Sequence, residues 1–232
     1  IDLKKVKTYS IKKRKNLFKS EQFGKPIESK DFNKFIDSLP KILAANDLRN
    51  VIDNIVKAHR KNRPVVLALG AHVIKCGLSP LVIDLMKRGI ITAVAMNGSG
   101  AIHDYEISLI GETSEDVSHS LKDGSFGMAK ETAEAIQAAA SVPDSGLGRA
   151  LGNKILKDKN KHRKDSILAV GAQLKIPVTV HVAVGTDIIH MHPCVSGSDI
   201  GESSHIDFKL LCSVVAGLEG GVWLNVGSAV IM

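Results

Sequence analysis

Small and polar residues follow directly after four short apolar runs of this sequence. The four groups are Gly70, Ala71 and His72; Asn97, Gly98, Ser99 and Gly100; Thr186 and Asp187; and Asn225, Gly227 and Ser228. Glycine lets backbone N–H groups approach a ligand closely, and a helix that begins there favours a bound phosphate. If the apolar runs are parallel strands, all four groups share one sheet edge, where open sheets bind ligands. The sequence therefore predicts a ligand pocket built from these strand ends.

The second group contains part of a dinucleotide-binding fingerprint. Gly98 and Gly100 give the G-x-G pair, but His103 stands where the third glycine of G-x-G-x-x-G belongs. The pair also follows the second strand of its unit, whereas the fingerprint follows the first. The sequence has no G-x-x-x-x-G-K-[ST] phosphate loop. The pattern by itself therefore does not identify a dinucleotide.

His103 and Asp104 are the candidate catalytic residues. They belong to the run His103-Asp104-Tyr105-Glu106, in which an imidazole that titrates near neutral pH stands beside carboxylates. Such a pair is suited to proton transfer. In the alternative interpretation His103 only bonds the loop, while Asp104 and Glu106 lie in a first helical turn, where acids suit the helix dipole. The residues alone leave both interpretations open.

Histidines in the last third of the chain suggest a second kind of chemistry. His190 and His192 are two residues apart and would share one face of a strand, as a metal-binding pair does. His181 and His205 could supply further ligands, and Asp187 a carboxylate. This set supports a metal-dependent hydrolase or lyase as the alternative enzyme. The competing interpretation is that these histidines line a polar pocket or have a structural role.

The segments between these groups predict strands that alternate with helices. Val65–Leu69 and Ile90–Met96 are apolar runs typical of strands buried on both faces. Between them, Ser79-Pro80 predicts a helix start and Gly89 its end, which together make a βαβ unit. Further helices are predicted in 31–62 (broken at Pro40), 125–140, 166–174 and 203–218, and further strands in 176–184 and 222–226. We expect a single Rossmann-like α/β domain over residues 31–232, with a mainly parallel sheet and helices on both faces.

The net charge of +7 is concentrated at the start of the chain. Residues 1–20 carry eight Lys or Arg and one Asp, and the remainder is balanced. We expect residues 1–30 to form a basic segment that adjusts solubility, assembly or an acidic partner, and its charge gives no evidence about the active site. The 4% aromatic content supplies few rings for base stacking, so a nucleic-acid partner is not expected. No apolar run approaches the ~20 residues of a membrane span, so a membrane protein is not expected either.

The cysteines and the chain ends complete the expectations. Three cysteines, Cys76, Cys194 and Cys212, are far apart and odd in number, which predicts free thiols and a cytoplasmic protein. The sequence begins at Ile1 and stops at Met232 directly after an apolar run. We therefore expect both ends, and the C-terminal end of the domain in particular, to be incomplete.

Three segments resemble deoxyhypusine synthase in the order and spacing of their motifs. In Val66–Glu115, one strand ends in a short polar loop and the next in a glycine loop followed by acids. Ser166–His192 contains a helix, an Ile-Pro-Val strand and a Thr-Asp loop, and Glu219–Met232 contains a strand that ends in small residues. The resemblance implies an NAD-binding Rossmann-like fold in a homotetramer with sites between subunits. That family moves the aminobutyl group of spermidine, through NAD-dependent oxidation and an enzyme imine on a lysine, to a lysine of a translation factor.

The resemblance also assigns roles to residues. It implies that Gly70–His72 and Asn97–Gly100 form the first two cofactor loops, that Thr186-Asp187 is the Thr-Asp loop, and that Asn225, Gly227 and Ser228 form the later glycine turn. The chain departs from the family at Ile102 and His103, which precede Asp104 where the family has acids. The imine-forming lysine of the family follows the last glycine turn, beyond Met232. A looser resemblance links Ala101–Glu106 to the NAD-binding domain of ornithine-cyclodeaminating enzymes.

These observations give one leading hypothesis and two alternatives. The leading hypothesis is an NAD-dependent, homo-oligomeric enzyme that acts on a small amine or amino acid by transient hydride transfer. In it the glycine loops hold the pyrophosphate, Asp187 binds a ribose hydroxyl or a substrate amine, and His103 transfers a proton. The alternatives are the metal-dependent enzyme described above and a non-catalytic nucleotide-binding protein whose basic start, Lys12 to Lys15, contacts RNA or an acidic partner.

Overall fold

A four-stranded parallel sheet forms the centre of the protein. The computed structural model describes residues 2–20, 36 and 43–227. Its strands are β1 (Asn16–Lys19), β2 (Val65–Leu69), β3 (Ala93–Asn97), β4 (Glu112–Glu115), β5 (Val178–His181) and β6 (Val222–Val226). The parallel sheet has the order β5-β3-β2-β6, while β1 and β4 form a separate antiparallel pair. The predicted α/β class and the mainly parallel sheet are therefore confirmed.

Some helices lie in predicted segments, whereas those at 71–75, 117–120 and 147–157 were not predicted. The helices of the described residues are α1 (Leu43–Arg60), α2 (Ala71–Lys75), α3 (Ser79–Lys87), α4 (Gly98–Ile110), α5 (Val117–Ser120), α6 (Lys130–Ala140), α7 (Leu147–Lys157), α8 (Ile167–Leu174) and α9 (Gly197–Ala216). Pro80 lies in the first turn of α3, and Gly89 follows its end with a φ of +68°. Ser166 caps α8 through a hydrogen bond from the Ala169 amide. The helix expected before Pro40 lies outside the described residues.

The two faces of the sheet carry side chains of different size. On one face Leu67, Val94 and Val178 stand in register, followed by Leu69, Met96 and Val180, and these belong to the main core. On the other face the small side chain of Ala95 packs with Leu211 of α9 and with Trp223. Alternate residues of each strand point to opposite faces, so this division follows from the sequence. Helices cover both faces, as predicted.

The chain reverses its direction across the sheet between β2 and β6. From β2 the chain proceeds to β3 and then β5 on one side, and β6 returns to pair with the other side of β2. In chain order this is the arrangement 3-2-1-4, which is the first part of the 3-2-1-4-5-6 order of the doubly wound α/β fold. The point of reversal lies beside Gly70 and Gly227, which follow β2 and β6.

Residues 97–100 do not form the expected glycine loop, so this prediction is wrong. Asn97 ends β3 and its side chain accepts a hydrogen bond from the Gly100 amide at 2.9 Å, so α4 begins at Gly98 without an intervening loop. Asp104 and Glu106 consequently lie beyond the first turn of α4. Helical periodicity now decides which side of α4 each of these residues faces.

The basic N-terminal segment is partly built into the fold. Ile11 is fully buried, and its amide donates a 2.8 Å hydrogen bond to Glu131. β1 pairs with β4, the strand that directly follows α4 in the chain. The antiparallel pair was not predicted because neither strand shows an apolar alternation. It brings the basic residues of the segment against carboxylates of the body.

Two helical glycines give a test of the packing. A Cβ at Gly148 in α7 would lie 1.9 Å from the Val178 carbonyl oxygen, whereas a Cβ at Gly201 in α9 meets nothing within 4 Å. Gly148→Ala must separate α7 from β5, and we expect it to lower the free energy of unfolding by about 3 kcal/mol. Gly201→Ala should raise it by about 0.5–1 kcal/mol, because alanine is the better helix former. Urea unfolding of both variants measures the difference, and equal effects would contradict this packing.

Candidate active site

One face of α4 forms the wall of a cavity of about 150 Å³. Ser99, Ile102, His103 and Glu106 line it, and their spacing of three, four and seven residues is that of a single helix face. The start of α4 is fixed at the carboxyl end of β3, so the cavity lies at the sheet edge where the sequence predicts a pocket. Of the predicted site residues, Ser99 and His103 lie in its lining.

The other walls come from parts of the chain that are distant in sequence. Lys75 is contributed by α2, Ser114 and Glu115 by β4, and Arg14 by the N-terminal segment. Apolar contacts come from Val117, Phe126, Ala129, Ala133, Ile188 and Ile189. The cavity thus combines two carboxylates, two cationic side chains and an imidazole with an apolar remainder, a composition typical of a small-molecule site.

Arg14 holds together the two buried carboxylates. Its guanidinium lies 2.7 Å from Glu106 Oε2 and 3.5 Å from Glu115 Oε1, and all three side chains are at most 6% exposed. Glu115 also accepts hydrogen bonds from the Tyr9 hydroxyl at 2.7 Å and from the Gly127 amide at 3.0 Å. Burial, with the hydrogen bond to Glu115, raises the pKa of Tyr9. The cluster is therefore a satisfied network of buried charges.

His103 is held in a neutral state. Its Nδ1 lies 2.6 Å from the Thr113 hydroxyl and its side chain is 17% exposed. Burial, followed by the charges of Lys75, Arg14 and His72, lowers the pKa of His103 to about 3. An efficient general base at neutral pH has a pKa near that pH. His103 is therefore positioned as a hydrogen-bonding group, and its role in proton transfer stays a prediction.

Asp104 points away from the cavity, one residue further around α4. It is completely buried and caps the start of α8, accepting hydrogen bonds from Ser166 Oγ at 2.5 Å and from the amides of Ile167 and Leu168 at 2.7 and 3.2 Å. Burial raises its pKa to about 6 in spite of these bonds. Its carboxylate is committed to this cap. The position gives Asp104 a structural role and no access to the cavity.

Asp187 occupies the space in front of the first turn of α4. A Cβ at Gly98 would lie 2.4 Å from Asp187 Oδ2, and the Ser99 hydroxyl is 3.5 Å from Oδ1. The same carboxylate accepts a 2.9 Å hydrogen bond from the Ala183 amide. Gly98 therefore allows a carboxylate to approach, and Gly100 allows Met96 to pack at 3.1 Å from the Cβ position. A pyrophosphate at this end of α4 would face the negative charge of Asp187.

Gly70 and Gly227 meet at the point where the chain reverses across the sheet. Gly227 has a φ of +81°, and a Cβ there would lie 3.7 Å from the Gly70 amide nitrogen. The Gly70 amide donates a 3.0 Å hydrogen bond to the Val226 carbonyl. Ala71 is buried, while His72 and Asn225 are exposed beside this junction. Thr186, also exposed, bonds the Ala183 carbonyl, and Ser228 lies outside the described residues.

The histidines proposed as metal ligands do not form a metal site. His181 Nε2 lies 2.9 Å from the Thr179 hydroxyl on its own strand. The Nε2 atoms of His190 and His192 are buried without a partner. Within residues 2–20, 36 and 43–227, no three His, Cys, Asp or Glu side chains come together as a metal ion requires. The described residues therefore give no support to the metal-dependent alternative.

Two further features are the state of the cysteine thiols and the apolar character of the described helices. Cys76, Cys194 and Cys212 are exposed and have free thiols. None of the described helices combines the length and apolar character that crossing a membrane needs.

Solved structures with this fold are known, although at low sequence identity. No family model and no curated protein matches the chain. A putative deoxyhypusine synthase from Entamoeba histolytica is 12% identical, with a TM-score of 0.54 over 98% of this chain and 83% of that one. ArgZ, an arginine dihydrolase from the ornithine-ammonia cycle in cyanobacteria, is 14% identical, with a TM-score of 0.51 over 81% of this chain. This chain spans 25% of the ArgZ chain. The fold is therefore of the deoxyhypusine-synthase-like, Rossmann type.

Several residues in and behind the cavity wall have no clear signal in the sequence. Arg14 stands among other basic residues, and neither Lys75, which lines the cavity, nor Thr113, which contacts His103 from behind it, belongs to a recognised motif. Glu115 gave a weak signal, since it stands two residues after Thr113, as two inward-facing residues of a strand do. Glu106 was noted only as a neighbour of Asp104, although its spacing from Ser99 and His103 places all three on one helix face.

The two roles considered for Asp104 predict different stabilities. Asp104→Ala leaves two buried amides and the Ser166 hydroxyl without their acceptor, so we expect a loss of about 3 kcal/mol in the free energy of unfolding. Asp104→Asn keeps the shape and one acceptor oxygen and should cost less. Urea unfolding measures both losses. Wild-type stability in Asp104→Ala would contradict the cap.

The raised pKa of Asp104 predicts a pH dependence with a definite sign. Because its pKa of about 6 exceeds the ordinary 3.8, the folded protein takes up a proton before the unfolded chain does. The contribution to stability therefore rises as the pH falls through 6 and is lost as the pH rises through 6. Between pH 7 and pH 5 the wild type should gain about 1 kcal/mol relative to Asp104→Asn. Asp207, whose pKa is also raised to about 6, is present in both proteins and cancels in the comparison.

Proposed function

We propose that this protein binds NAD and oxidises a small amine or amino acid by transient hydride transfer. The observation that carries the proposal is the strand order β5-β3-β2-β6 with glycines at both strand ends that flank the reversal. In sheets of this order dinucleotides bind across that crevice. The likeness in fold to a putative deoxyhypusine synthase supports the same assignment. A homo-oligomer and a cytoplasmic location belong to the proposal as well.

The residues at the reversal fit a dinucleotide better than those at the start of α4. Gly227 is exposed, and its positive φ excludes most other residues, while the buried Gly70 beside it has its amide bonded to the Val226 carbonyl. The start of α4 is closed to a pyrophosphate, because Asp187 faces it and Asn97 already caps it. Asp187 is suited instead to a ribose hydroxyl or a substrate ammonium group. We therefore assign the pyrophosphate to the Gly70–Gly227 junction.

The surroundings of the cavity support a substrate that carries a nitrogen donor. Glu106 and Glu115 are already paired with the guanidinium of Arg14, so we assign the substrate nitrogen to Asp187, whose carboxylate lies beside Ser99. Ser99 both lines the cavity and contacts Asp187, which joins the proposed substrate and cofactor sites. The nicotinamide would accept the hydride, while Ser99, His103 and the carboxylates orient the substrate and exclude water.

Calorimetric titration with NAD tests the proposal, with Gly227→Val as the diagnostic variant. We expect binding to the wild type and at least a tenfold loss in Gly227→Val, because a side chain there fills the crevice. Gly89→Val is the matched control: Gly89 also has a positive φ (+68°) but lies away from the carboxyl ends of the strands. It should bind NAD as the wild type does.

Two outcomes would contradict the proposal. Absence of heat with millimolar NAD and NADH would overturn cofactor binding. An equal loss in the two valine variants would show that backbone strain, and not the crevice, explains the effect. With binding established, NADH absorbance is followed while small primary amines and amino acids are added.

A further inference from the structure

We propose that Glu106 and Thr113 fix the tautomer of His103, so that its Nε2 offers a bare lone pair to ligands that carry an N–H or O–H donor. The inference deepens the proposed function, since it concerns the substrate cavity of the same site. Its first test uses the ligand-free protein and does not depend on NAD. Glu106 and Thr113 are positioning residues in this arrangement.

The hydrogen bonds leave one arrangement of the protons. A hydroxyl has a single proton, and Thr113 Oγ1 lies 2.5 Å from Glu106 Oε2. The carboxylate has no proton to give while it is paired with Arg14, so Thr113 must donate to Glu106. Thr113 can then only accept from His103, whose Nδ1 is 2.6 Å away. Nδ1 therefore carries the proton of the neutral imidazole, and Nε2 carries none.

The free nitrogen of His103 is available to a ligand. His103 lines the cavity, and its Nε2 has no hydrogen-bond partner among the described residues. The charged and titratable groups around the ring are Lys75 and His72 of α2, Arg14 of the N-terminal segment, and Glu106 of α4. Burial and the cations keep the imidazole neutral, so the lone pair persists at physiological pH.

The backbone of β4 directs two side chains toward this cluster. Thr113 and Glu115 are both buried, and Ser114 between them has a φ of +65°, unusual for a residue with a side chain. Strained backbone of this kind persists where the surrounding structure holds it, often at ligand sites. The strand is thus shaped to aim the Thr113 hydroxyl between His103 and Glu106.

The lone pair gives the cavity a chemical preference. A ligand that donates an N–H or O–H to Nε2 completes the chain Arg14–Glu106–Thr113–His103. A ligand that has only acceptor atoms places its own lone pair against the lone pair of Nε2 and forms no hydrogen bond there. Leaving a buried polar group unpaired costs binding free energy, so donors are selected. A neutral amine, an ammonium group or an alcohol fits this requirement, and a carboxylate does not.

Nitrogen NMR of the histidine side chains tests the tautomer. The His103 signals are assigned by their absence in His103→Gln, and we expect the Nδ1–H pattern near neutral pH in the ligand-free wild type. Thr113→Val should lose this fixed pattern and Thr113→Ser should restore it. Thr132→Val is the matched control, because Thr132 is also buried and donates to Glu106, on Oε1 at 3.2 Å, without contacting His103. It should keep the wild-type pattern.

The outcomes separate this inference from the proposed function. An Nε2–H tautomer or an imidazolium in the wild type overturns it whatever the NAD titration gives, even if Thr113→Val fails to fold. An unchanged tautomer in folded Thr113→Val overturns the role of Thr113. Propylammonium chloride should then shift the Nε2 signal and sodium propionate should not; equal responses overturn the preference for donors.

Discussion

A buried carboxylate needs a cation or hydrogen-bond donors inside the protein, and Glu106 has the guanidinium of Arg14 together with the hydroxyls of Thr113 and Thr132. Removing one member of a buried ion pair typically costs about 3–5 kcal/mol, because the other charge is left unpaired away from water. The N-terminal segment, β4 and α4 are therefore energetically one unit. The segment carries the net positive charge of the chain, but one of its cations is a structural part of the cavity. Docking of the segment and formation of the cavity depend on the same contact.

Helical geometry distributes the chemistry of α4 between two faces. Residues three, four and seven positions after Ser99 follow one face into the cavity, while Asp104 is turned by one residue toward α8. Neighbours in sequence thus have separate roles: His103 faces the proposed ligand, and Asp104 holds a helix terminus. The start of α4 at Gly98 sets this division, since a shift by one residue would turn either Asp104 into the cavity or His103 toward α8.

The fold was largely predictable and the site was only partly so, for reasons that individual residues show. Strands such as Val65–Leu69 are apolar without interruption, and helix ends such as Ser79-Pro80 and Gly89 have local chemical causes. Arg14 could not be separated from the basic residues around it, because its burial depends on Glu106 and Glu115 about a hundred residues later. Gly98 fitted a phosphate loop, and its actual neighbour Asp187 belongs to a distant part of the chain. Long-range contacts of this kind leave no periodic trace in a single sequence.

The cap of α7 has a consequence for the way the chain folds. Gly146 precedes α7 and provides no side chain to its first turn; Asp207 of α9, 59 residues further along from Gly148, accepts the Gly148 amide at 2.8 Å and also binds the Val180 amide of β5. The first turn of α7 therefore has no local signal that completes it. It becomes stable only when α9 has packed on the sheet, which couples α7 to a helix that is synthesised later. A ribosome-bound chain that has not yet exposed α9 would hold α7 with a frayed start.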